Sequence, residues 1–253
     1  MRSIQKWYTL NKMALSLGKS NFILFHGSRQ CSAPDITEIK VGENSIPRVS
    51  TTKYIGLNLD EILSWEKHIA EVIQSLIKYF GTFYNIRNHI NTHLARSIYY
   101  ATIHSRIKYA IEVYGSANKT NIQKLQTIQN KLLKVLLKKD RQFSTDALHN
   151  NLNILKVNDI YETSLLNFVY ASLSPDAADP IKNFYRQRTH THNTRHRTDL
   201  EIRRFRTEMG RSTTHNRGAT LWNNIEIELQ NKPSLFAFKR HVKHKYQQKY
   251  THV

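Results

Sequence analysis

Lys53-Tyr54-Ile55-Gly56-Leu57-Asn58-Leu59-Asp60-Glu61-Ile62-Leu63-Ser64-Trp65-Glu66-Lys67 is the stretch at which this chain changes character. Residues 53–59 alternate, with Tyr54, Gly56 and Asn58 on one side and Ile55, Leu57 and Leu59 on the other, the pattern of a strand. Gly56 lacks a Cβ, so another backbone or a ligand can approach it closely. Ser64 is placed to cap a helix, and Glu66 in the first turn faces the positive end of its dipole. Extended segments and one short helix are expected before this corner, and helices after it. The fold class that follows is α+β: mainly α, with a small β-rich N-terminal piece.

Working outward, Ile4, Trp7, Tyr8, Leu10 and Met13 follow a loose helical period. Asn21-Phe22-Ile23-Leu24-Phe25 has the composition of a buried strand. Residues 36–41 suit one arm of a hairpin, and residues 46–49 are extended. Past the corner, Trp65, Ile69, Val72, Ile73, Leu76, Ile77 and Phe80 form one apolar stripe, with Gly81 as an interruption or an end. Asn91 or Thr92 starts a second helix, with Leu94, Ile98, Ala101, Ile103 and Ile107 as its stripe. Thr120-x-x-Gln123 has the form of a capping box and opens a third helix, with Ile122, Leu125, Ile128, Leu132, Val135 and Leu136 on one side. Three helices with short joins predict a small antiparallel bundle. A fourth helix is expected from Ser144 or Thr145, and a fifth through Leu165 and Val169. Residues 175–180 have the look of a linker, and residues 186–217 that of an extended or partly disordered basic arm. Two short helices, the last capped by Ser234, close the pattern. The divisions expected are 1–62, 63–140, 141–174 and 175–253.

The 253 residues carry 38 Lys and Arg against 19 Asp and Glu, a net charge of +19. A field of that sign favours a polyanion partner, nucleic acid first. One cysteine, Cys31, excludes a disulfide framework and any zinc site built on cysteine pairs. Residues 1–17 lack the apolar core of a signal peptide, and no apolar run approaches the roughly 20 residues that span a bilayer. Nucleus or cytoplasm is therefore expected, with no secretion and no membrane partner.

Lys124, Lys131, Lys134 and Lys138 fall within one quarter of the third helix's wheel, away from the apolar side. Residues 120–139 contain no acid, so the stripe suits a phosphate backbone. A second basic region holds Arg186, Arg188, Arg195, Arg197, Arg203, Arg204, Arg206, Arg211 and Arg217, and arginine grips phosphate with a bidentate fork. His190, His192 and His196 share no helical face and sit in positive surroundings, so no metal site is expected there. No catalytic set assembles, and there is no adjacent Asp pair anywhere in the chain.

Several patches nevertheless share one pattern. Trp7-x-x-x-Asn11-Lys12-Met13-x-Leu15-Ser16-Leu17-x-Lys19-Ser20-x-Phe22-x-Leu24-Phe25 resembles the end of the palm in reverse transcriptases of non-LTR, jockey-like retrotransposons. Tyr54-Ile55-Gly56-Leu57-x-Leu59-Asp60 with Leu63-Ser64-Trp65-x-x-His68-Ile69 is similar to the segment that follows there. Tyr109 through Val113-Tyr114-Gly115, then Leu125-Gln126-x-x-Gln129-Asn130-Lys131, resembles the thumb helices. His192-Asn193-Thr194-Arg195, Gly218-x-x-Leu221-Trp222-Asn223 and Ser234-Leu235-x-x-Phe238-Lys239 resemble the C-terminal region.

The resemblance implies part of an RNA-directed DNA polymerase: a palm-edge β-hairpin, a thumb-like helical bundle and a basic extension. It implies that Lys19 is the palm lysine that protonates pyrophosphate. It sets Lys53, Tyr54 and Gly56 near a primer grip, and gives the thumb helices a primer–template duplex. The family's metal-binding carboxylates, including its aromatic-Ala-Asp-Asp turn, have no counterpart in the matching residues, so Mg²⁺ is implied only for the full-length enzymes. The expected function is nucleic-acid binding (RNA–DNA or DNA duplex, or RNA) without polymerisation. The alternatives are a truncated gene model of an active enzyme and a basic remnant with no polymerase role.

Overall fold

A computed structural model of the protein describes residues 2–14, 16–27, 36–41, 44–188 and 199–250. The chain divides into two units, Met1–Ala70 and Glu71–Val253. The described elements are mainly helical, with two small β-hairpins confined to the first unit.

The first unit opens with helix α1 (Arg2–Leu10) and a single 3₁₀ turn (Leu17–Lys19). Strands β1 (Glu38–Val41) and β2 (Asn44–Pro47) form one antiparallel hairpin, with Ile39 opposite Ile46. Strands β3 (Thr51–Tyr54) and β4 (Leu57–Asp60) form the other, with Tyr54 opposite Leu57. The alternating residues 53–59 are thus a strand end, a turn and a second strand, instead of one strand. Ile55 and Gly56 form a two-residue loop with φ of 46° and 76°. Positive φ at both central positions is the type I′ pattern, whose twist matches that of the flanking strands. Gly56 meets the positive φ that this turn requires. Residues 21–25 do not form a buried strand: Phe22 makes one parallel bridge to Arg48, and Phe25 is exposed. With a partner at only one position, the segment gains no ladder.

Asp60 ends the second hairpin and holds the corner. Its carboxylate accepts from the backbone N–H groups of Ile62 (3.2 Å), Ser64 (2.9 Å) and Trp65 (3.1 Å), and from the Ser64 hydroxyl. Leu63 and Trp65 both have positive φ within this loop, so the carboxylate secures a backbone that bulky residues avoid. The Ser64 hydroxyl accepts from Glu66 N–H at 3.3 Å, as expected of a cap, while Asp60 holds the N–H groups of the loop that leads into the helix.

Helix α2 (Glu66–Ile77) starts in the first unit and continues into the second. Helix α3 (Tyr79–Ile86) follows, and the break falls at Lys78, while Gly81 lies inside α3. Helix α4 (Thr92–Tyr99) is capped by the Asn91 side chain, which accepts from Leu94 N–H. A π-helical turn (Tyr100–His104) leads into α5 (Ser105–Lys108) and α6 (Ile111–Tyr114). The buried stripe here is Ala95, Tyr99, Ile103 and Ile107, while Leu94 is exposed. A strict spacing of four drifts about 40° per step on an α-helix. The wider π turn absorbs that drift and keeps the stripe facing inward.

Helix α7 (Lys119–Leu136) buries Leu125, Gln129, Leu132, Leu133 and Leu136. Its cap is Asn118, whose side chain accepts from Thr120 N–H, two residues before the expected Thr120. Helix α8 (Thr145–Leu152) is capped by Ser144. Helix α9 (Val157–Leu173) is the centre of the second unit and is buried on nearly every side. Gly115 lets it pack closely against α6, since a Cβ there would meet the Tyr161 ring at 2.2 Å and the Ile111 carbonyl at 2.6 Å. Residues 175–184 turn compactly and deliver Tyr185 into the core, so they are folded and not an open linker.

After residue 199 come α10 (Glu208–Arg211), α11 (Thr214–Asn223), α12 (Ile227–Gln230) and α13 (Leu235–Gln248). Helices α11 and α13 pack on α9, where the Tyr170 ring stacks on Phe238 at 4.5 Å and Trp222 lies 5.8 Å from Phe238. Each such buried aromatic contributes roughly 1.5–3 kcal/mol. In the described part of the basic arm Leu200 and Asn216 are buried, while residues 201–209 are exposed.

Candidate nucleic-acid interface

In the first unit Lys53, Tyr54, Ile55 and Gly56 are all exposed at the tip of one hairpin. Ile55 is 69% exposed in a left-handed conformation that a β-branched residue resists. Lys19 is exposed at the end of the 3₁₀ turn.

In the second unit the lysine stripe of α7 is shorter than its spacing implies. Lys124 and Lys131 are exposed on the helix. The Lys134 ammonium turns back and donates to the Arg141 carbonyl at 2.6 Å. Lys138 lies past the helix end with φ of 54°. There Lys138 N–H donates to Val135 O and Lys139 N–H to Lys134 O, a Schellman closure with lysine where glycine is usual. Two exposed lysines remain on the helix, Lys134 is tied to the segment that follows it, and Lys138 lies beyond the helix end.

Helix α7 is held in place by its own amides. Gln129, fully buried, donates through Nε2 to the Tyr99 hydroxyl (2.8 Å) and the Leu155 carbonyl (3.0 Å). Gln126 donates to Asn130 Oδ1 at 2.7 Å and accepts from Val157 N–H at 2.7 Å. His149 pairs with Asn130 Oδ1 at 2.9 Å, and burial, then the nearby Lys156 charge, hold its pKa down at about 4. The ring is neutral at physiological pH and serves packing.

Of the arginines, Arg195 lies outside the described residues, as do His190, His192 and His196. Arg203 and Arg204 are exposed on an extended segment that α11 grips with two asparagines. Asn216 accepts from Arg203 N–H (3.0 Å) and donates to its carbonyl (2.8 Å), and Asn223 does the same for Leu200 (2.8 and 3.0 Å). Seven residues apart on one helix face, the two amides imitate a neighbouring strand. The Gln187–Leu200 bridge pairs the other edge of this segment. Arg217 is committed elsewhere, in an ion pair with Glu162 of α9.

Residues that the sequence did not single out lie on α4 and α13. The Lys243 ammonium donates to the Tyr100 hydroxyl at 2.7 Å, and Arg96 sits 5.7 Å from the same ring. Helix α13 contains no acid from Leu235 to Tyr250. Only the 143-residue separation between Tyr100 and Lys243 hid this pairing. Beside it, burial, then Lys108 and Lys243, hold the His104 pKa down at about 4. Among the described residues no group of three His, Cys, Asp or Glu is placed to hold a metal ion, and no helix is long and apolar enough to cross a membrane.

The chain is 24% identical over 157 residues to a protein of Drosophila melanogaster described as "Probable RNA-directed DNA polymerase from transposon X-element". It is also 24% identical over 161 residues to the "RNA-directed DNA polymerase from mobile element jockey" of Drosophila funebris. Its relatives are non-LTR retrotransposon polymerases. The aligned parts cover 61% and 62% of this chain but 17% of each curated relative, so the likeness is to part of a reverse transcriptase. No protein-family model matches the chain, and no solved structure matches it. The reverse-transcriptase patch Gln126-x-x-Gln129-Asn130 is thus a packing device in this chain. Of Val113-Tyr114-Gly115, Tyr114 is buried and Gly115 lies against Tyr161 of α9 while Val113 is exposed, and Trp222 belongs to the core of α9, α11 and α13.

Proposed function

We propose that this chain is the nucleic-acid-binding part of a non-LTR reverse transcriptase, gripping a primer–template duplex electrostatically without catalysing polymerisation itself. The observation that carries the reading is the sorting of charge in the second unit. Of the three longest helices, α7 and α13 carry no acid at all, whereas Asp159 and Glu162 are buried on α9 with their own partners. Exposed Lys124, Lys131, Arg203 and Arg204 are left facing solvent, which suits phosphate contact with release of counterions. The hairpin tip of Lys53, Tyr54 and Gly56 supplies an exposed lysine and an exposed ring suited to a strand end.

Phosphoryl transfer in the relatives' class of enzyme uses metal-held carboxylates. Among the described residues no such set assembles. Fluorescence anisotropy with a labelled RNA–DNA hybrid tests the binding. The logarithm of affinity should fall linearly with the logarithm of salt, with a slope near −0.9 per phosphate neutralised. A salt-insensitive complex, or none, overturns the reading. Primer extension with Mg²⁺ should give no incorporation, and incorporation by the purified chain would overturn the second half.

A further inference from the structure

Helix α13 turns Phe238, Val242 and Tyr246 inward, all buried. On its outer flank lie Phe236, Lys239, Arg240 and Lys243, at spacings of three, four and seven from Phe236, so they share one side of the helix. Phe236 is 78% exposed, the most exposed large apolar side chain among the described residues. Lys239 and Arg240 are exposed, and no carboxylate pairs with them or with Lys243 among the described residues. The Tyr100 ring then carries this cationic flank onto α4, because Lys243 and Arg96 both sit against it.

An aromatic ring held in water among cations, on a helix that itself contains no acid, does not fit a protein partner's apolar surface. It fits an unpaired base stacked on the ring with phosphates led past the ammonium and guanidinium groups. We propose that Phe236, Lys239, Arg240, Lys243 and Arg96 form a binding surface for a single nucleic-acid strand, separate from the duplex-facing lysines of α7. This rests on the nucleic-acid reading above and adds to it a strand type and a place. A duplex interior offers no open base face, so the stacking ring selects unpaired strand.

The test uses the full chain with 12-residue pyrimidine strands, one RNA and one DNA, and a duplex of the same length. Phe236→Ala removes a side chain that supports no core, and should weaken single-strand binding roughly 5- to 30-fold while leaving duplex binding within about twofold. Phe236→Trp should restore or tighten it. Lys239→Glu with Arg240→Glu should weaken single-strand binding and flatten its salt slope. A 2-aminopurine in the strand should lose fluorescence on binding to the native chain and not to Phe236→Ala. Comparing the RNA and DNA arms identifies which strand is preferred. Equal losses for strand and duplex, or unchanged affinity in Phe236→Ala, overturn the stacking surface alone. If the native chain binds no nucleic acid of any kind, the functional reading fails with it.

Discussion

Glu162 of α9 and Arg217 of α11 form an ion pair across the core of the second unit, with the carboxylate side chain only 11% exposed. The other carboxylate oxygen accepts from the Tyr246 hydroxyl of α13 at 3.0 Å. One acid therefore ties three helices. Glu162→Ala should destabilise the chain by about 2 kcal/mol in urea melts, less than a fully buried pair because Arg217 is half in solvent. Glu162→Gln, which keeps the Tyr246 contact, should lose less. A loss under about 0.5 kcal/mol in the alanine variant would show that the pair is incidental.

Stability should fall on mild acidification because of His104 and His149. Burial holds both folded-state pKa values at about 4, against an ordinary 6.5. The unfolded chain binds the extra protons between those limits, so stability is complete above pH 6.5 and is lost as pH drops toward 4, by on the order of 3 kcal/mol per ring. Melts at pH 7.5, 6, 5 and 4.5 measure the slope. His149→Gln keeps a donor for Asn130 and should remove about half of the pH dependence.

Lys138→Gly separates the geometry of α7 from its charge. Glycine relieves the left-handed strain at the helix end and should stabilise by about 0.5–1 kcal/mol. Lys131→Glu should leave the unfolding free energy within about 0.5 kcal/mol and weaken duplex binding. An equal binding loss in both variants would return Lys138 to the phosphate-tracking row.

Ile55→Asn should stabilise the hairpin of the first unit by roughly 0.5–1 kcal/mol, since Asn-Gly is the preferred pair for its turn. Gly56→Val should destabilise it by about 1–2 kcal/mol, because φ of 76° excludes a branched side chain. Hydrogen exchange at β3 and β4 reports both. If Ile55→Asn stabilises the fold but weakens nucleic-acid binding, the strained isoleucine is there for contact.

Asn216→Ala and Asn223→Ala should each unlatch one end of residues 200–203, exposing the backbone amides of Arg203 or Leu200 to faster exchange and costing about 1–3 kcal/mol. Trypsin cleavage after Arg203 and Arg204 should accelerate in the Asn216 variant first. Unchanged exchange at Arg203 would mean that the segment is held mainly by its bridge to Gln187.

What the sequence made legible was local. Ser144 and Ser234 announced their helices three residues ahead of the donor they cap, and the stripe of α7 was visible because its apolar residues return every turn. The second hairpin was not, because Ile55 and Gly56 continue the alternation of their neighbours while the backbone reverses. Helix α9 hid its importance for the opposite reason: buried all round, it has no polar face to set a period. Its acids look like solvated surface until Arg217, Tyr246 and Tyr250 arrive from far along the chain. The cationic side of α13 was equally opaque, since Arg96 and Tyr100 join it only through the fold.

Asp159 accepts from the Tyr250 hydroxyl 91 residues later, and Lys249 pairs with the same carboxylate at 3.2 Å. During synthesis at roughly 5–20 residues per second, α9 exists for about 5–18 seconds with that carboxylate unanswered. Whatever helix α9 forms in that interval lacks the partners its interior demands. The nascent second unit is thus a waiting structure, vulnerable to proteases and to wrong partners, and it closes only when α13 has been made. A chain stopped before residue 246 would have almost every helix of this fold without the Tyr246, Lys249 and Tyr250 contacts that close it on α9.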